Sequence, residues 1–175
     1  DGVTDARQVM IGDGAGIGTI ENNDSATLTI SAITETETDS DFTVQATVTL
    51  SAEVEGGFDV AYSSALGTAD ATDVTVQGSS LSFAGTAGET QTIDVVIIGD
   101  DLVEDDETFT ITLGDVTGTS SVQDAAITTG AVSDGLILND DSAVLTISNI
   151  AETETDSDFT VQATVTLSAE VEGGF

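Results

Sequence analysis

Along residues 42–50 apolar and polar side chains alternate without a break. Phe42, Val44, Ala46, Val48 and Leu50 take one parity, and Thr43, Gln45, Thr47 and Thr49 the other. The same period of two runs through Leu28 and Ile30, and through Phe109, Ile111 and Leu113, again with threonines between. Successive side chains of a strand point to opposite faces, so a period of two with one apolar parity predicts half-buried antiparallel strands. Further strands are predicted near Phe58–Ser63, Val74–Gln77, Leu81–Phe83, Thr92–Ile98 and Ala126–Asn139, separated by Gly, Asp and Ser clusters suited to turns. No stretch has helical periodicity.

The pattern repeats. Residues 25–58 and 142–175 differ only at the pairs 27/144, 32/149 and 34/151, at an offset of 117 positions. Repeats of about 20–50 residues build solenoids and propellers, whereas this period is the size of a whole domain. The organisation expected is therefore tandem. Residues 1–24 finish a preceding unit, 25–141 form one complete unit, and 142–175 begin the next. The absence of an initiating Met suggests a window on a longer or processed chain. Seven or so short strands per unit predict an all-β fold, an immunoglobulin-like seven-stranded antiparallel β-sandwich. The apolar face of 142–175 (Leu145, Ile147, Phe159, Val161, Val165) lacks the rest of such a sandwich. It is expected to pair with a neighbouring chain by strand addition, to remain unstructured, or to dock on the rest of a longer array.

Charge changes the picture most. The chain holds 33 acidic residues against a single Arg7, with no Lys or His, and a formal net charge of −32. Phosphate binding needs a basic patch, so nucleic acid is excluded as a natural partner, and anionic membrane surfaces are disfavoured. No apolar run reaches membrane-spanning length. The absence of Cys rules out disulfides and thiol chemistry, and the lack of His and Lys removes most general bases and nucleophiles, so no enzyme activity is expected. Paired carboxylates also suit a glycosidase, but the chain offers no Trp and only Tyr62 as a sugar platform.

Solubility accounts for the total charge but not for its clustering. Six carboxylates lie between Asp100 and Glu107, immediately before a predicted strand. Asp100, Asp101, Glu104 and Glu107 are expected at one pole of the sandwich. Asp73 lies in a strand-to-strand connection, Glu35 and Glu37 follow the first strand, and Asp140 and Asp141 close the last one. Convergent carboxylate loops suit calcium, which takes six to eight oxygens at about 2.3–2.6 Å. Without His or Cys, zinc and copper are poor candidates. Asp39, Asp41, Asp105 and Asp106 are read as solvated or turn-capping residues.

The stretches "TIDVVIIGDDLVEDDETFTITL" (92–113) and "GTADATDV" (67–74), with "LTISAITETE" (28–37) and "LILNDD" (136–141), resemble the Calx-beta domain. The resemblance implies a sandwich with a calcium cluster at one end. Carried over by position, its ligands are Glu37, Asp73, Asp100, Asp101, Glu104, Glu107, Asp140 and Asp141, with the Leu102 carbonyl as a further oxygen. The chain departs from the family pattern at Gly99, Thr38, Val74 and Asn139, and the preceding unit closes in Asn22-Asn23-Asp24. One or two ions per junction are therefore expected. The family occurs in sodium–calcium exchangers and in bacterial surface and adhesion proteins. The function expected is a structural, adhesive repeat of a secreted or cell-surface protein, a stalk or fibre stiffened by calcium. Its partners would be neighbouring repeats, with self-association into fibres by strand addition. The alternative is a calcium sensor that changes inter-domain geometry.

Overall fold

A computed structural model describes residues 15–174. Of the segment assigned to a preceding unit, residues 1–14 lie outside the described residues, as does Phe175. Between Ala26 and Leu138 the chain forms two five-stranded sheets packed face to face. One sheet has the order β5(Val74–Val76)–β7(Thr90–Ile97)–β3(Phe42–Leu50)–β1(Ala26–Ile30)–β9(Ile127–Thr128). The other has the order β2(Ile33–Thr36)–β10(Val132–Leu138)–β8(Glu107–Thr117)–β4(Phe58–Leu66)–β6(Ser80–Phe83).

These strands are seven passes of the chain, three of which switch sheets midway: β1 into β2, β5 into β6 and β9 into β10. The seven-stranded sandwich read from the sequence is this architecture. The switches explain two differences from the expected strands. Ile33–Thr36 is a strand in its own right, so Glu35 lies within β2 rather than in a loop after the first strand. The last pass is broken between Thr128 and Val132, where Gly130 takes φ +80°. A short helix, α1(Ser121–Ala126), precedes β9. Six residues are too few to show a helical period, so the sequence pattern does not announce it. No helix among the described residues is long and apolar enough to cross a membrane.

Alternation becomes burial as expected. In β3, Ala46, Val48 and Leu50 are buried, and in β8 Phe109, Ile111 and Leu113 are buried. They meet Ile93, Val95 and Ile97 of β7 and Leu28 of β1 in one core. Each such aliphatic side chain contributes about 1.5–3 kcal/mol on full burial. Phe58 and Phe83 stack across β4 and β6, 5.2 Å between centroids. Gly135 in β10 is required by packing, because a Cβ there would overlap the Phe109 ring.

Within residues 142–174 regular pairing is confined to a short hairpin and one bridge. β11(Leu145–Ile147) and β12(Val165–Leu167) form an antiparallel hairpin. Beyond it, Val171 makes a parallel bridge with Val103. Val103 donates its N–H to the Glu170 carbonyl, and Glu172 donates to the Val103 carbonyl, both at 3.0 Å. Leu145, Ile147 and Val165 of the hairpin stay exposed, and Leu167 is partly buried.

Candidate metal centre

Strand topology gathers the acids at one pole. β2 and β10 run parallel, with Thr36 opposite Leu138, and Glu37 donates its N–H to the Leu138 carbonyl at 3.0 Å. Two strands leaving the sheet side by side carry Glu37 and Asn139–Asp141 out together. The third contributor is the 98–107 loop. Ile98 donates to the Asp73 carbonyl at 2.9 Å, which fixes the entry to β5 beside the end of β7. Ala69 donates to the Thr108 carbonyl at 3.1 Å, and Thr108 donates its N–H to Thr68 Oγ1 at 2.8 Å, clamping the 67–73 connection to the mouth of β8.

Three groups of carboxylates result, each with ligand oxygens within 4.8 Å of one another: Glu37 with Asp140 and Asp141; Asp39 with Asp101 and Asp141; and Asp73 with Glu104 and Glu107. Asp141 is shared by the first two. Seven of the eight residues drawn from the resemblance fall in these groups. The eighth, Asp100, accepts the Leu102 N–H at 2.7 Å in a local turn. Its charge still bears on Glu37, Glu104 and Asp141. Asp39, read from the sequence as a solvated or turn-capping residue, joins the second group. The spacing of "TETDSDF" leaves Asp39 and Asp41 indistinguishable. The fold separates them, because Asp41 turns to accept the Gly99 N–H at 3.3 Å. Asp106 accepts from Asn139 at 3.2 Å, and Asp105 is exposed.

The electrostatics are those of like charges without a counter-ion. Burial, reinforced by Glu104, Asp100, Asp141 and Asp140, pushes Glu37 up to about 7. Burial and then the Asp73 and Asp100 charges push Glu104 up to about 7. Burial, a hydrogen bond with Asp73 and the charges of Asp73, Glu104 and Glu172 push Glu107 up to about 8. Burial and the charge of Asp140 also raise Asp141. The one basic side chain, Arg7, lies outside the described residues. Glu37 is only 3% exposed, and its carboxylate lies among those of Asp140 and Asp141. Glu107 Oε2 and Asp141 Oδ2 are buried without hydrogen-bond partners. Buried carboxylate oxygens ordinarily find donors. All three residues lie among other carboxylates, so the ligand set is all oxygen and negatively charged, with two buried oxygens unsatisfied, which fits a hard divalent cation.

Gly99 sits at a close approach of two backbones. A Cβ at that position would overlap the Thr38 carbonyl oxygen. The 37–41 turn and the start of the 99–106 loop therefore meet by backbone, with no room for a side chain at this position.

Neither a protein-family model nor a curated protein matches the chain. Among solved structures, it is similar to the crystal structure of the apo-form Calx CBD1 domain, with 23% identity, a TM-score of 0.55, and coverage of 67% of this chain and 100% of that one. It is also similar to CBD12 from CALX1.2, with 24% identity and a TM-score of 0.54, covering 66% of this chain but only 46% of that one. Likeness at this level of identity concerns the fold: the sandwich formed between Ala26 and Leu138 is that of the Calx CBD domains.

Proposed function

We propose that the chain is part of a tandem array in a secreted or cell-surface adhesive protein, in which calcium ions held at the sandwich poles stiffen a stalk or fibre. The observation that carries this reading is Glu37, buried and set among Asp140 and Asp141 at the point where the next repeat begins. Neutralising these groups would remove a repulsion that otherwise loosens the loops bearing the junction. The Calx CBD likeness supports the calcium assignment through shared architecture, and the near-identity of 25–58 and 142–175 supports a spacer built from copies. Calorimetric titration of the chain with calcium, paired with small-angle scattering of a multi-repeat chain with and without chelator, tests the reading. Saturable binding and a longer maximum dimension in calcium are expected. Absence of binding at millimolar calcium would refute it.

A sensor reading draws on one feature. Val103, which bridges to Val171, sits between Asp101 and Glu104 in the same loop. An ion there would bear directly on the joint. A large change of interdomain angle with little change in its spread would favour the sensor over the spacer.

A further inference from the structure

The pole opposite the acidic groups carries an open groove of about 690 Å³, lined by Asp24, Ser25, Glu53, Val54, Glu55 and Gln123 among others. The repeat gives this groove a meaning. Shifted by 117 positions, Asp24, Ser25 and Glu53 become Asp141, Ser142 and Glu170, which line the cleft where residues 168–172 meet Asp100–Leu102. Val54 becomes Val171, the residue bridged to Val103.

Backbone hydrogen bonding makes the comparison sharper. In the occupied joint the Glu170 carbonyl and the Glu172 N–H hold Val103. Their equivalents are the Glu53 carbonyl and the Glu55 N–H. Within the complete unit Val54 turns its own N–H inward to the Gly85 carbonyl at 2.8 Å, while the Glu53 carbonyl and Glu55 N–H have no partner among the described residues. Among the described residues a bridging edge is thus open at this pole, with the same two groups unpaired.

The approach to both poles is also preset alike. At the occupied joint Asp141 donates its N–H to Asn139 Oδ1 at 3.2 Å, and Asn139 Nδ2 donates to the Asp141 carbonyl at 3.1 Å. At the open pole Asp24 and Asn22 make the same reciprocal pair, at 3.3 and 3.4 Å. A repeat arriving through Asn22-Asn23-Asp24 is therefore delivered in the orientation that the following repeat takes through Asn139-Asp140-Asp141.

We propose that the groove around Val54 is the receptor for the Asp-Asp-Leu-Val-Glu loop of a preceding repeat, whose valine bridges between the Glu53 carbonyl and the Glu55 N–H. The occupant is a second copy of the unit, joined in line. The joint is then a backbone clasp repeated along the array, with the acidic loop of each unit seated in the foot of the next. This rests on the tandem part of the function proposed above and not on the ion.

The test uses the full chain with residues 25–141 duplicated in place, so that Asp141 of the first copy runs into Ser25 of the second. The protein has no cysteine of its own, so introduced pairs report cleanly. In the unduplicated chain, Leu102→Cys with Glu170→Cys calibrates the known joint and should oxidise to a disulfide. In the duplicated chain, Leu102→Cys in the first copy with Glu53→Cys in the second should oxidise to a similar extent, in calcium and in chelator alike. The reverse placement, Glu53→Cys in the first copy and Leu102→Cys in the second, should not. Val103→Cys with Val54→Cys gives a second, independent pair. If both test pairs stay reduced while the calibration pair closes, the proposal is overturned. If calcium fails to bind but the test pairs close, the function proposed above fails and the clasp stands.

Discussion

Replacing Glu107 with Gln should change stability in opposite directions with and without calcium. Without the ion, the folded chain holds Glu107 at about 8, through burial first and then through the hydrogen bond and charge of Asp73. In the unfolded chain the group keeps its ordinary value of 4.5 and is ionised near pH 7. Folding must therefore protonate it there, which costs about 3 kcal/mol at 1.36 kcal/mol per unit and, discounted for a side chain partly open to water, about 1.5. Gln carries no charge and offers an N–H where the protonated acid meets Asp73. Glu107→Gln should thus stabilise the calcium-free chain by about 1.5 kcal/mol, or roughly 5 °C in melting temperature for a domain of this size. With calcium at a hundredfold excess over its dissociation constant, the parent chain gains about 2.7 kcal/mol. A variant binding a hundredfold more weakly gains about 0.4 kcal/mol, and its total of about 1.9 falls below the parent. Thermal melts by circular dichroism in chelator and in millimolar calcium should therefore cross. A variant that melts lower in both conditions would refute the electrostatic argument. One that melts higher in both would remove Glu107 from the ligand set.

The pH dependence follows from the same groups. Glu37, Glu104 and Glu107 have folded values above their unfolded ones, so the folded state binds more protons between about pH 5 and pH 8. Calcium-free stability should rise as pH falls through that window, while calcium affinity should fall. A melting temperature flat from pH 8 to pH 5 in chelator would contradict this. Asp70 and Glu89 are lowered by hydrogen bonds from Thr72 and Ala84, so their contribution should be lost only as pH falls further. Gly99→Ala should destabilise the chain by about 2 kcal/mol through overlap with the Thr38 carbonyl, and it should weaken calcium binding by displacing the loop. An unchanged melt and isotherm would show that the two backbones separate freely.

Much of the sandwich was legible because its signal is local. Alternation in Phe42–Leu50 and in Phe109–Leu113 states which face is buried without reference to anything distant. The sheet switches were not, since Ile33–Thr36 is told from the first strand only by its parallel partner β10, a hundred residues on. The acids divided along the same line. Clustering at 100–107 was visible as composition, but the sorting into three groups was not. Asp39 enters one because β2 and β10 leave their sheet together, and Asp41 is turned away because Gly99 offers it a backbone N–H. Even the need for glycine at position 99 lies in packing that one sequence does not display.

The two copies of the repeated segment separate what sequence dictates from what context supplies. Leu28 and Val48 are 1% and 0% exposed, while their equivalents Leu145 and Val165 are 54% and 61% exposed. Residues 42–50 form a nine-residue strand against β7, whereas of the same sequence at 159–167 only Val165–Leu167 is paired, against β11. The hairpin β11–β12 keeps the register of β1–β3, with Leu145 opposite Leu167 as Leu28 is opposite Leu50. Register therefore belongs to the local sequence, and strand length to the neighbour that supplies hydrogen bonds and a second face. The clasp between Val103 and Val171 forms even though the second copy's core is bare, so it needs only the 168–172 turn and not a finished sandwich.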